Sequence, residues 1–192
     1  ISPAPVLERL RKDGRLREHV PFVTSRGSVM LLRKGNPKRI LDAADLVRED
    51  VRIFLSNPVN ESVSFEAYVA TLRAIAASRG LDYGFIDPAP GSSRRVVYGD
   101  CIHHREAPQC LVDDRADVAI VYYHLALRYV RIFPELFDFI ALTTDGDPAQ
   151  VVSPAHLGLV GDGGEWGVRL SEFLLGDEVA AVYRYHGLDP VR

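Results

Sequence analysis

The sequence is poor in several things that would narrow its chemistry at once. It has two cysteines, Cys101 and Cys110, nine positions apart, with no CxxC pair among its 192 residues. A zinc ribbon is therefore not indicated; a disulfide, a metal pair and two unconnected buried thiols are all open, and buried thiols are the favoured reading. There is one Met and one Trp. No run of Lys or Arg forms a basic stripe, and formal net charge is −3, which argues against a direct nucleic-acid partner. The longest apolar runs, such as VAIVYY, are far too short to span a bilayer. No GxSxG elbow, P-loop, HExxH or GxGxxG motif occurs. No catalytic machinery, cofactor site or direct membrane insertion is indicated.

What is present is an ordinary globular composition, 47% hydrophobic and 26% charged. Burial can supply a real core at this length. Helix and strand signals alternate, which predicts an α/β fold. PVLERLRKDGRL reads as a short helix ending near Gly14, and SVMLLRKGNPK as a strand entering a turn. VRIFLS is a second strand. In NESVSFEAYVATLRAIAASRG, Phe65, Tyr68, Val69, Leu72 and Ile75 fall on one helical face. Asn60, Ser62 or Ser64 can cap that helix, and Gly80 can end it. DPAPGSSRR (87–95) reads as a loop and RVVYG as a short strand. ADVAIVYY suits a strand buried on both faces of a parallel sheet. FDFIALT and VVSPAHLGLV are further strands. Two helices close the chain, the first with Trp166, Leu170, Phe173 and Leu174 on one face, the second carrying Val179, Ala180 and Tyr183.

Six histidines occur, two of them adjacent in GDCIHHREAPQ (99–109). Pro108 lacks an N–H and belongs in the first turn of a helix, so a helix is expected to start at about 105–107. His103, His104 and Arg105 then sit at its N-terminal mouth, where free N–H groups and the helix dipole favour an anion. Asn60–Ser64 forms a second such mouth. Tyr122, Tyr123 and His124 lie where the ADVAIVYY strand ends. Ligands of open α/β sheets bind outside the carboxyl ends of strands, so the three clusters are expected to converge. His19, His156 and His186 read as surface or helix-end residues without a role.

The order of these landmarks resembles the type II periplasmic binding proteins, nearest to the molybdate/tungstate-type solute-binding proteins. LLRKGNPKRI (31–40), LVREDVRIFLSNPVNES (46–62), DDRADVAIVYY (113–123) and FLLGDEVAAVYRYHGL (173–188) carry the resemblance. It implies an α/β fold of two lobes with mixed, mostly parallel sheets and a ligand cleft between the lobes. Residues 1–35 and 138–192 would belong to lobe 1, and 36–137 to lobe 2. By resemblance Tyr122 reaches the ligand, as do helix-start groups around Glu61–Ser64 and His103–Arg105.

The chain departs from that family in two ways. The family's opening strand, serine-bearing loop and helix have no counterpart, so on the order of 60–80 residues of lobe 1 are expected to be missing. The chain, opening on ISPAPVLERL without Met, reads as a mature or truncated product. The site is also bulkier and more basic than the family's.

The resulting expectation is a monomeric, non-enzymatic solute-binding protein, periplasmic or otherwise extracytoplasmic. It would hold a small anion, an oxyanion or a carboxylate, and hand it to an ABC-transporter permease. The expected ligand-binding residues are Glu61, Ser62, Ser64, His103, His104, Arg105, Tyr122, Tyr123 and His124. One alternative is a Zn²⁺ or Ni²⁺ protein using His103, His104 and His124 with Glu61, Glu106 or Cys101. Another is a ligand-sensing module of a regulator built on the same fold.

Overall fold

The computed structural model describes residues 1–86, 93–144, 147–152 and 154–191, so most of the expected 87–95 loop lies outside the described residues. In chain order the first half holds β1 (Ser2–Pro3), α1 (Ala4–Lys12), β2 (Leu16–Ser25), β3 (Ser28–Arg33), β4 (Ile53–Leu55), α2 (Ser62–Arg79) and β5 (Val96–Tyr98). The second half holds α3 (His103–Val112), β6 (Val118–Tyr122), α4 (Tyr123–Ile132), β7 (Phe137–Ala141), β8 (Pro154–Val160), α5 (Gly164–Leu175), α6 (Asp177–Tyr185) and β9 (Leu188–Pro190). The chain divides into two units, Ile1–Arg26 with Val152–Arg192, and Gly27–Val151.

The second unit is a five-stranded sheet in the order β5-β4-β6-β3-β7. Its strands are apolar on both sides, and each side has its own cover. Met30, Leu32, Ile53, Leu55, Val118 and Ile120 meet Phe65, Tyr68, Val69, Leu72 and Ile75 of α2. The alternate residues Val29, Leu31, Phe54, Ala119 and Val121 meet Ala107, Cys110 and Leu111 of α3, Ala126 of α4 and Phe137. The period-2 alternation of a strand thus feeds two separate cores. Gly80 ends α2 in the left-handed conformation, φ 65°, as its sequence position predicts.

Ion pairing fixes the edge of this sheet where β6 begins. The Asp117 side chain is fully buried. It accepts from the Arg52 backbone N–H at 2.8 Å and from the Arg52 guanidinium at 3.0 and 3.1 Å. Beside the chain's entry into the unit, Gln150 mimics a paired strand. Its Oε1 accepts from Ser28 N at 2.9 Å, and its Nε2 donates to Ser28 O at 3.0 Å. Gly27, at φ +80°, lies so close that an added Cβ would meet Gln150 at 2.2 Å.

The first unit is an antiparallel sheet in the order β1-β8-β2-β9, with α1, α5 and α6. Its core is small: Phe22, Val23 and Leu157 form a cluster with Leu174, Tyr183 and Leu188 partly buried against it, and Leu7, Leu16, Val179 and Ala180 are buried as well. No residue of α5 is buried, and Trp166 is 76% exposed.

Both expectations of an α/β fold and of mixed sheets hold. The sheets are not mostly parallel, however. β4 pairs in parallel with β5 and β6, and every other strand pairing between described residues is antiparallel. ADVAIVYY misleads on this point because burial on both faces, not parallel pairing, is what makes a strand uniformly apolar. β6 is parallel to β4 but antiparallel to β3.

Candidate functional site

The three parallel strands of the second unit end at one edge of the sheet. β4 ends at Leu55, β5 at Tyr98 and β6 at Tyr122, and each is followed by a helix, α2, α3 and α4 in turn. Three helix N-termini therefore open at the same edge, each presenting the positive end of a dipole.

The loops entering α2 and α3 are laced together. Asn57 Oδ1 accepts from the N–H groups of Val59 at 2.9 Å and Asn60 at 3.1 Å, a turn its short amide side chain favours. Its Nδ2 donates to Gly99 O at 3.0 Å, and Asn60 Nδ2 donates to Asp100 O at 3.1 Å. Asn60, Ser62 and Ser64 do not cap α2. Glu61 occupies the N-cap position without a side-chain capping bond, because its carboxylate reaches across to the next helix. There Glu61 Oε2 accepts from the His103 backbone N–H at 2.8 Å. The Ser64 hydroxyl lies 3.0 Å from both Glu61 O and the Oγ of buried Ser56. Ser62 is exposed.

α3 begins at His103, earlier than Pro108 suggests, and encloses that proline. A proline inside a helix leaves the carbonyl four residues back without its N–H partner. Here that carbonyl belongs to His104, and the Tyr129 hydroxyl of α4 donates to it. Packing against α4 thus supplies what the proline removes, and one extra turn of helix forms. The mouth of α3 is filled by a second carboxylate. Glu106 accepts from the N–H groups of Asp100, Cys101 and Ile102, each at 2.7 Å. Burial pushes the Glu106 carboxyl up, but these three donors and His103 outweigh it and hold the group below its ordinary range.

His103 is not an open mouth residue; it is 1% exposed. Its ring stacks on Phe54, centroids 5.0 Å apart and 7° between planes, and tilts over Tyr68 at 5.4 Å. Burial, then the neighbouring His104, depress its pKa to about 4, so the ring is neutral. Its Nε2 has no hydrogen-bond partner among the described residues. His104 is half-buried and Arg105 exposed.

Tyr68 continues the aromatic row to Tyr122, with centroids 5.0 Å apart. Tyr122 stacks in turn on His124 at 5.7 Å and 12°. His124 is half-buried, and burial followed by His104 lowers its pKa. Its Nδ1 is a second buried atom without a partner among the described residues. Tyr123 turns the other way, edge-on to Phe139 at 5.5 Å, and its N–H donates to Gly27 O at 2.9 Å.

His103, Tyr122 and His124 are thus brought together through Tyr68, with Glu61 attached at His103. Arg105 and Ser62 face solvent, and Tyr123 packs into the core. Tyr68, Phe54 and Asn57 are missed as site residues by sequence reading, which considers Glu106 only as a metal ligand. Tyr68 falls on the apolar face of α2 and reads as plain core. The capping role of Glu106 does have a sequence signal, an acidic residue in the first turn of a helix.

The metal alternative at this site fails, since His103, His104 and His124 belong to no group of three or more His, Cys, Asp or Glu that could hold an ion among the described residues. Cys101 is exposed and Cys110 buried; both are free thiols.

Comparison with known proteins gives the family of the chain. The family model of bacterial extracellular solute-binding proteins matches residues 1–189. The chain belongs to that family. Over 64 residues, 33% of this chain, it is 41% identical to the thiosulfate-binding protein of Escherichia coli (strain K12). That match spans 18% of the relative's length. The sulfate-binding protein SubI of Mycobacterium tuberculosis H37Rv superposes on all of this chain and 67% of its own, with a TM-score of 0.69 and 19% identity. A substrate-binding domain from Clostridium difficile, described as that of a molybdenum ABC transporter, superposes on all of this chain and 75% of its own, with a TM-score of 0.68 and 13% identity. At such identities the two structures show that the solute-binding fold is shared. No described helix is long and apolar enough to cross a membrane.

Proposed function

We propose that this chain is a periplasmic solute-binding protein that captures a small anion, an oxyanion or a carboxylate, and delivers it to a membrane permease of the ABC type. The relatives named for thiosulfate and sulfate support the ligand class. The observation that carries the reading is the bond between Glu61 and His103. A helix-start N–H on α3 already holds a carboxylate oxygen at 2.8 Å, and that oxygen comes from another helix. The position is therefore built to accept an anionic oxygen, and Glu61 occupies it until a ligand arrives.

In this reading a bound anion displaces Glu61 and takes the His103 N–H. Ser62 and Ser64 contribute hydroxyls and N–H groups from the mouth of α2. Tyr122 supplies a phenol, His104 and His124 ring N–H groups, and Arg105 a charged guanidinium, while Tyr123, turned into the core, takes no part. Nothing is transformed; the site binds and releases.

Thermal unfolding in the presence of thiosulfate, sulfate, molybdate, phosphate and small carboxylates tests this. A ligand at 100 times its Kd adds about 2.7 kcal/mol, a rise of a few degrees at this chain length. The proposal requires one anion to give that shift and the shift to vanish in the His124→Ala and Arg105→Ala variants. Equal, unselective shifts from every salt in both wild type and variants would sink it.

A further inference from the structure

Two histidines without an assigned role meet in the first unit. β2 and β8 pair antiparallel with Pro21 opposite His156 and His19 opposite Gly158. His19 and His156 are thus diagonal neighbours on one face, a separation long side chains can bridge. Gly158 makes the bridge possible, because a Cβ there would stand 3.2 Å from that of His19. With that space empty, the two rings lean together. Their Nδ1 atoms are 2.8 Å apart, with ring centroids at 4.8 Å and planes at 67°. On the far side of His19, Nε2 lies 3.5 Å from Glu8 Oε2 of α1. Glu8 is in turn held by Arg11 at 2.7 and 2.8 Å.

We propose that His19 and His156 form a binding site for a divalent transition-metal ion, with Glu8 as the positioning carboxylate. The chemistry follows from the tautomers. Glu8 favours a proton on His19 Nε2, which leaves the His19 Nδ1 lone pair directed at His156. Without metal, His156 donates its Nδ1 proton to that lone pair. With metal, His156 carries its proton on Nε2 instead, and both Nδ1 lone pairs converge on one ion. A carboxylate behind a ligating imidazole is the usual support of such a ligand.

Imidazole ligands suit Cu²⁺, Ni²⁺ and Zn²⁺, and at a site of given ligands affinity peaks at Cu²⁺ in the divalent series, so Cu²⁺ is the ion expected to bind best. Water fills the remaining positions, as both rings are only partly buried.

Calorimetric titration of Cu²⁺, Ni²⁺ and Zn²⁺ chloride into untagged protein tests the site. The expected result is one Cu²⁺ per chain, bound more tightly than Ni²⁺ or Zn²⁺. Affinity should fall at least tenfold in His19→Gln and in His156→Gln, and about tenfold in Glu8→Gln, which leaves the sheet intact. His186→Gln should bind as wild type does. The spectrum of the Cu²⁺ form should show coupling to two imidazole nitrogens. Wild-type-like binding in His19→Gln, or no Cu²⁺ binding at submillimolar concentration, overturns the proposal. Far-UV circular dichroism on each variant separates loss of the site from loss of the fold.

Discussion

The hydroxyl of Tyr129 donates to the backbone carbonyl of His104, the acceptor that Pro108 leaves unserved within α3. One side chain of α4 thereby lets α3 run through a proline and begin at His103. Tyr129→Phe strands a half-buried carbonyl and is expected to cost about 1 kcal/mol in urea denaturation. Pro108→Ala returns an N–H to that carbonyl. The double variant should therefore lose less than the sum of the two single losses. Strict additivity would show that the phenol and the proline act independently.

The buried ring of His103 makes stability depend on pH. Its pKa falls from 6.5 to about 4 on folding, so the unfolded chain binds the proton more readily than the folded one. The resulting stability is present above pH 6.5 and is lost as pH falls toward 4. The difference amounts to about 3 kcal/mol. Urea midpoints measured from pH 7 to 4.5 should show a shallower decline in His103→Gln than in wild type. Parallel declines would mean that the ring titrates normally in the folded state.

Glu61 places a negative charge where the proposed ligand would bind. Glu61→Gln keeps an oxygen for the His103 N–H but removes the charge. Anion affinity is expected to rise by about tenfold, the effect of roughly 1.4 kcal/mol. Affinity in wild type should also rise as pH falls below the ordinary histidine range. Burial and His104 hold the His124 pKa down, so the ring is neutral at pH 7 and gains charge only below that range. Titration calorimetry at pH 5 and 8 reads both effects. Weaker binding in Glu61→Gln would make Glu61 a ligand contact rather than a competitor.

These relationships show how far the sequence could be read. The helix over 62–79, the strands at 28–33 and 118–122, and the clusters at strand ends were legible because hydrophobic period and turn residues are local signals. Pro108 was read correctly as chemistry and wrongly as position, because its compensation comes from Tyr129, 21 residues away. Glu61 read as a helix-start residue; that its carboxylate serves a different helix depends on β4 and β5 pairing in parallel. His19 and His156, 137 positions apart, have no local signature at all. Their meeting is fixed by strand register, and register emerges only once β2 and β8 are paired.

Asp117 anchors the start of β6 through Arg52, with its carboxylate fully buried. Burial raises its pKa, but the hydrogen bonds and charge of Arg52 win, and the group stays ionised. Asp117→Ala leaves Arg52 with Asp114 alone and is expected to cost about 3 kcal/mol, the low end for a buried pair because Arg52 keeps that partner and is itself 36% exposed. Urea denaturation checks the figure. A loss under about 1 kcal/mol would assign the network to the weak surface class.

The first unit should report its sparse core directly. Trp166 is the one tryptophan of the chain and is 76% exposed, while Phe173 on the same helix is 56% exposed. Leu170, on the same face of the helix, is exposed beside them. Tryptophan emission should sit near that of free indole in water, and acrylamide should quench it almost as efficiently. Trp166→Gln should change stability by no more than about 0.5 kcal/mol, as for a surface position. A contiguous apolar surface of this kind also binds hydrophobic dyes. Replacing Leu170 and Phe173 with Ser should reduce dye fluorescence without lowering the unfolding temperature, since neither side chain is buried in the fold described. A blue-shifted, unquenchable tryptophan would mean that this face is covered in solution, and the same Ser substitutions would then lower the unfolding temperature.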